Sequence, residues 1–251
     1  MTTSRRWAIA YLLVFGFMIF LNYWSTTNVG TVANNNQAII QPAGFAFSIW
    51  GLIYVLLLAW ILKQLFTSGR KETVVSQLTF WPILNFLLNG CWIIVFTQQW
   101  LVTSTLVIAA LLYTLGVMYT LTAKAGYRGF DRLPFSIYFA WVTVATIVNV
   151  FTVMVSAQVT TLLGLQELGW TLILLGAATG IGVLIAARFR DWLYPLVLLW
   201  PYYGIYAAND RAYASLDLTL LLTSILLVFV ALIVGIYQLR LQQRTSHPQS
   251  L

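Results

Sequence analysis

The chain alternates long apolar stretches with short polar breaks, and the breaks carry nearly all of its charge. No Asp, Glu, Lys or Arg lies between Arg6 and Lys63, and further uncharged windows cover 73–123, 133–166, 168–187, 192–209 and 218–239. A helix needs about 20 apolar residues to cross a bilayer, at roughly 1.5 Å per residue. The first two windows therefore hold two helices each and the others one. This predicts eight spans, near 7–24, 45–63, 80–97, 101–122, 133–156, 168–187, 192–208 and 217–238. The fold class that follows is an all-α integral membrane protein. The seventh segment is the weakest, because Pro195 and Pro201 interrupt it; a re-entrant segment is the alternative there. The longest connection, 25–44, is rich in Asn and Thr around Asn34-Asn35-Asn36, a length that suits either a lid or a simple polar tether.

Composition strengthens this picture. With 61% hydrophobic and 8% charged residues, the chain has too much apolar surface for a soluble core, so the lipid bilayer is its first expected partner. With the N-terminus inside, twelve of the thirteen Lys and Arg side chains fall on the inner face and only Arg211 falls outside. The six acids divide evenly: Glu72, Asp131 and Asp191 inside, Glu167, Asp210 and Asp217 outside. A Lys/Arg bias with indifferent acids is what insertion produces. The expected topology is N-in and C-in, multi-pass, in the cell (cytoplasmic or inner) membrane, with an uncleaved first helix anchored by Arg5 and Arg6. The net charge of +7 then reports orientation, and no nucleic-acid partner is expected. In the sixth span Gly176 and Gly180 form a GxxxG pattern. It is expected to pack within the bundle, with a homodimer as the alternative.

Several chemistries are missing. The single histidine, His247, lies in the C-terminal tail, so no histidine serves as an axial haem ligand within the membrane. Lysines stand only at 63, 71 and 124, and Cys91 is alone. No acid occupies the middle of a predicted span, which counts against ion-coupled transport. There is no phosphate-binding glycine loop, nucleophile elbow or metal-ligand spacing. No catalytic residue, metal or required cofactor is assigned; whether the chain is an enzyme is left open, with the reading leaning against it. What remains are aromatics and amides. Trp7, Trp24, Trp60, Trp81, Trp100, Trp170 and Trp192 sit near span ends, where Trp favours the headgroup layer. Trp50, Trp92, Trp141 and Trp200 lie inside spans, as do Asn22, Asn85, Asn89 and Asn149. An uncompensated amide in hydrocarbon costs several kcal/mol, so these must face a cavity, a ligand or one another. Most of them share one level in the outer half. An aromatic pocket for a large flat molecule and interhelical glue are both open readings.

At these residues the chain resembles the tryptophan-rich sensory protein / translocator protein (TspO/MBR) family, also known as the peripheral benzodiazepine receptor family. The second span opens Gln41-Pro42-Ala43-Gly44-Phe45-Ala46-Phe47-Ser48-Ile49-Trp50 and reaches Tyr54; the third carries Asn89, Trp92 and Phe96; the fifth carries Tyr138, Trp141, Ala145 and Asn149. The three pieces fall in the family's order within residues 1–156. The departures are Gln41 for the first proline of a pair, Gly44 for a loop tryptophan, and Ile137 before Tyr138, with Pro134 three residues earlier. The resemblance implies a five-helix bundle over 1–156, with three added helices over 157–239 and a cytoplasmic tail over 240–251. It also implies a site lined by Pro42, Phe45, Trp50, Tyr54, Asn89, Trp92, Tyr138, Trp141, Ala145 and Asn149. Members of the family bind porphyrins, sterol-like molecules and synthetic isoquinoline or benzodiazepine compounds. The ligand expected here is a hydrophobic small molecule, porphyrin- or haem-like or sterol-like, bound without a histidine. The porphyrin-degrading activity linked to the family's pocket tryptophans is not carried over, since the loop tryptophan is absent. The expected function is a sensor- or regulator-like binding protein. A facilitator or permease for a hydrophobic solute and a scaffold without a small ligand are the alternatives.

Overall fold

The computed structural model describes residues 3–35, 37–67 and 73–246, and within these not the side chains of 26–31, 33–35 and 242–246. Asn36, Arg70, Lys71, Glu72 and His247, and the side chains of Asn34, Asn35 and Arg244, therefore lie outside the described residues. The described chain is almost entirely helical: α1 (Thr3–Asn35), α2 (Ile49–Phe66), the single-turn α3 (Val74–Leu78), α4 (Trp81–Thr97), α5 (Leu101–Lys124), α6 (Leu133–Ser156), α7 (Glu167–Phe189), α8 (Leu193–Asn209) and α9 (Ala214–Ser246). Each predicted span coincides with one long helix. Six stretches are long and apolar enough to cross a membrane: Thr3–Ser25, Gly44–Phe66, Leu101–Lys124, Gly129–Ser156, Glu167–Phe189 and Ala214–Leu241. α4 and α8, with 17 residues each, reach only about 25 Å.

Local chemistry sets the helix starts. Pro82 and Pro134 stand in the first turns of α4 and α6, where a missing N–H breaks no helical bond. α7 stops at Arg190, whose backbone turns left-handed at φ 52°. Asp191 then begins α8, its Oδ1 accepting the N–H groups of Leu193 at 2.9 Å and Tyr194 at 3.2 Å. α8 continues through Pro201, so the prolines leave the seventh segment as one helix.

Four sequence expectations change. The connection 25–44 is mostly helix, because α1 continues to Asn35; an established helix propagates at little cost, and Val32 is buried. The connection 157–166 contains a two-stranded hairpin, Thr161–Leu162 against Leu165–Gln166. Its turn has positive φ at Leu163 and Gly164, the arrangement a two-residue hairpin loop favours. Gly176 and Gly180 meet nothing within 4 Å, and the close helix approach falls at Gly182 instead, where an added Cβ would sit 2.7 Å from Leu198. Trp60 is fully buried rather than interfacial, held between the rings of Tyr11 and Phe135.

α1, α2, α4, α5 and α6 pack as one group and α7, α8 and α9 as a second; α8 joins them by lying on α6 and on the 3-10 turn Gly44–Ser48. At one end of the molecule Lys63 pairs with Asp131 at 2.7 Å. At the same end Arg132 bonds the Phe189 carbonyl at 3.0 Å and pairs with Asp191 at 3.1 Å. Tyr119 and Ser136 each donate to Asp191 at 2.6 Å. This buried knot fastens α5, α6, α7 and α8 where most of the described basic side chains gather.

Candidate functional site

The aromatic and amide residues converge because their spacings are helical. On α4, Asn85, Asn89, Trp92 and Phe96 follow one another at four, three and four residues; on α6, Tyr138, Trp141, Ala145, Asn149 and Thr152 follow at three, four, four and three. Residues three and four apart share a face, and both faces turn inward: Asn85, Asn89 and Tyr138 are wholly buried and Trp141 and Asn149 nearly so. Trp50 and Tyr54 bring α2 to the same place.

The structure sorts the expected residues into two layers. Pro42, Trp50, Trp92, Trp141, Ala145 and Asn149 line one cleft, joined by Gln41, Phe47, Phe96, Val144, Val148 and Thr152. Its walls are rings. Trp50 stacks on Trp92 at 5.8 Å, Trp92 stacks on Phe96 at 5.5 Å, and Trp141 stands edge-on to both Trp50 (6.2 Å) and Phe47 (5.9 Å). Tyr54, Asn89 and Tyr138 do not line it. They form a polar layer beside it: Asn89 accepts from Asn22 at 2.9 Å and from Tyr54 at 3.3 Å, and donates to Tyr138 at 2.7 Å. Tyr54 also donates to Asn22 at 2.9 Å. Phe45 is outside both layers, half-exposed against Trp200 and Tyr203.

The amides are thus mostly spent within the protein. Asn149 reaches the cleft, yet its Oδ1 accepts from the Trp92 indole at 2.9 Å and its Nδ2 donates to Ser104 at 2.9 Å and Thr105 at 3.1 Å. Asn85 donates to Thr114 at 2.8 Å. One cleft donor differs: the Trp141 indole N–H is buried without a hydrogen-bond partner among the described residues.

A strap over residues 37–48 closes one side of the cleft, contributing Gln41, Pro42 and Phe47. It is tied to the second helix group. The Ala43 N–H donates to the Gly204 carbonyl at 2.9 Å, the Trp200 indole to the Ala46 carbonyl at 2.8 Å, and Asn209 to the Ile39 carbonyl at 2.9 Å. The Ile39 N–H in turn donates to Glu167. Gly204 has no room for a side chain, since an added Cβ would lie 2.8 Å from Pro42 and 2.9 Å from Ala46. The sequence reading missed this attachment. Its only trace was Trp200, a mid-span indole in need of an acceptor. Val144, Val148 and Thr152 could have been found by extending the α6 face from Trp141.

No curated protein and no solved structure matches the chain. The family model for TSPO-like protein matches residues 8–237, from the first turns of α1 into the last part of α9. That stretch takes in α7 and α8 together with the helices bearing the quoted motifs, and the chain belongs to the TSPO-like protein family.

Proposed function

We propose that the chain is a membrane-embedded binding protein, sensor- or regulator-like, that takes a flat hydrophobic molecule of the tetrapyrrole or sterol class in the aromatic cleft. The observation that carries this reading is Trp141. It walls a mostly apolar cleft with an indole N–H that lacks an acceptor among the described residues, and an unpaired donor away from water costs about 1–3 kcal/mol. A ligand carbonyl, carboxylate or hydroxyl reaching that N–H would remove the penalty. Apolar burial at roughly 25 cal/mol per Å² and ring stacking on Trp50, Trp92 and Trp141 would supply most of the affinity.

The cleft has a volume of about 40 Å³, enough for a few waters. A drug-sized ligand needs roughly 300 Å³ or more, so binding in this reading requires the strap to move outward. With the N-terminus inside, the cleft opens in the outer half of the bilayer, where a hydrophobic molecule would enter from the lipid.

The test is a titration of the detergent-solubilised chain with a free-base porphyrin and, separately, with a fluorescent sterol. Saturable binding to wild type, weakened about fivefold by Trp141→Phe, which keeps an aromatic ring in the cleft wall and removes the N–H, is the expected result. Non-saturating binding of both probes, or equal affinity in wild type and variant, would refute it.

A further inference from the structure

A second, larger cavity lies at the opposite functional pole, between the loop joining α5 to α6, the junction of α7 with α8, and the last turns of α9. Its volume is about 510 Å³, within the range of small-molecule sites. Lys124, Arg128, Arg132, Arg188 and Arg190 all line it, against one carboxylate, Asp191.

That carboxylate is already committed. Its two oxygens take the N–H groups that start α8, the hydroxyls of Tyr119 and Ser136, and the ion pair with Arg132. Among the described residues the ion pairs are Lys63–Asp131 and Arg132–Asp191, so Lys124, Arg128, Arg188 and Arg190 have no carboxylate partner there. Arg132 keeps a buried Nε–H with no acceptor among the described residues. Arg188 and Arg190 lie over the rings of Phe189 and Tyr237, at 5.6 Å and 5.2 Å.

Insertion explains why basic residues are frequent in inner loops, but it does not require them to converge. Here cations from separate connections turn toward one concavity with partly apolar walls, and such a geometry focuses the field and draws counter-ions. The three guanidinium forks of Arg128, Arg188 and Arg190 favour a planar or tetrahedral oxyanion with several acceptor oxygens. We propose that this cavity is a binding site for a phosphate-bearing anion, either an anionic lipid headgroup of the adjoining leaflet or a soluble phosphate. It is independent of the aromatic cleft and shares none of its lining residues.

The experiment uses the full chain in neutral detergent. Native mass spectrometry reads retention of phosphatidylglycerol against phosphatidylcholine, and isothermal titration reads binding of inorganic phosphate. The expected result is at least tenfold preference for one phosphate source over phosphatidylcholine or buffer. That preference should fall at least tenfold in Arg128→Gln/Arg188→Gln/Arg190→Gln and persist in Arg6→Gln, which removes one charge outside the cavity. Lipid retention that added phosphate does not displace assigns the headgroup; phosphate binding without lipid preference assigns the soluble anion. Should the triple variant fail to fold, Arg188→Gln and Arg190→Gln singly should each weaken binding about fivefold. No preference in wild type, or equal preference in wild type and the folded variants, overturns the proposal.

Discussion

Asn89 and Asn149 show how much work a buried amide does in this protein. Asn89 uses both ends of its side chain, linking α1, α2 and α6 through Asn22, Tyr54 and Tyr138. Interhelical hydrogen bonds in membranes contribute about 0.6 kcal/mol on average and up to roughly 2. Asn89→Ala removes several and strands Tyr138, so it should destabilise by about 1–3 kcal/mol. Thermal unfolding in detergent would show this as a lowered midpoint, while porphyrin affinity of the folded fraction should change little because Asn89 does not line the cleft. Asn149→Ala should do both, since Asn149 lines the cleft and also fixes the Trp92 indole. The sequence made these amides conspicuous by their burial, but it could not say whether they faced a ligand or each other. That depends on which side-chain atoms come within 3 Å across helices, a matter of tertiary register. Trp60 makes the same point for an indole: proximity to a span end does not decide whether a ring meets headgroups or a neighbouring helix.

At the level of elements, the helices were legible and their attachments were not. Charge-free windows located all eight long helices, because each must satisfy its backbone internally and keep ionised groups at its ends. The sequence predicts a long loop over 25–44, since Asn and Thr usually mark connections; the helix continuing to Asn35 leaves a much shorter bridge. Its anchoring to α8 depends on Gly204, whose α-carbon approaches Pro42 and Ala46 too closely for a larger residue. Gly204→Val should push the strap off α8 and break the Ala43 hydrogen bond. The expected outcome is a loss of about 2 kcal/mol or more of stability, with faster association of any cleft ligand, read by stopped-flow tryptophan quenching. An unaltered association rate in a folded variant would mean that the strap does not gate the cleft.

For the whole molecule, two groups of helices meet along α8, and the family match across 8–237 treats them as one stretch. The resemblance in the sequence stopped near residue 156 because the recognisable tryptophans and amides lie in α2, α4 and α6; α7 to α9 offer mainly apolar residues, which pack or face lipid without a signature. Placing the described basic side chains on one face predicts that both termini and the Arg128 loop are cytoplasmic, with Asp210 and Arg211 outside. Single cysteines introduced at Arg128 and Asp210 in a Cys91→Ser background should label from opposite sides with a membrane-impermeant maleimide. Labelling of both from one side would show an even number of crossings between them, so that α6, α7 and α8 do not all cross.

The shortness of α8 has a consequence for any measurement made in lipid. A helix of about 25 Å is shorter than the roughly 30 Å hydrocarbon layer, and such a mismatch is relieved by thinning the bilayer or drawing the helix ends inward. The ends of α8 are not free: Asp191 is locked at one, and the strap hangs from the other. If α8 crosses the bilayer, acyl-chain length becomes a mechanical variable, and a thick membrane would load the roof of the cleft before any ligand arrives. Affinities from short-chain micelles and from long-chain bilayers would then report different states of the same protein.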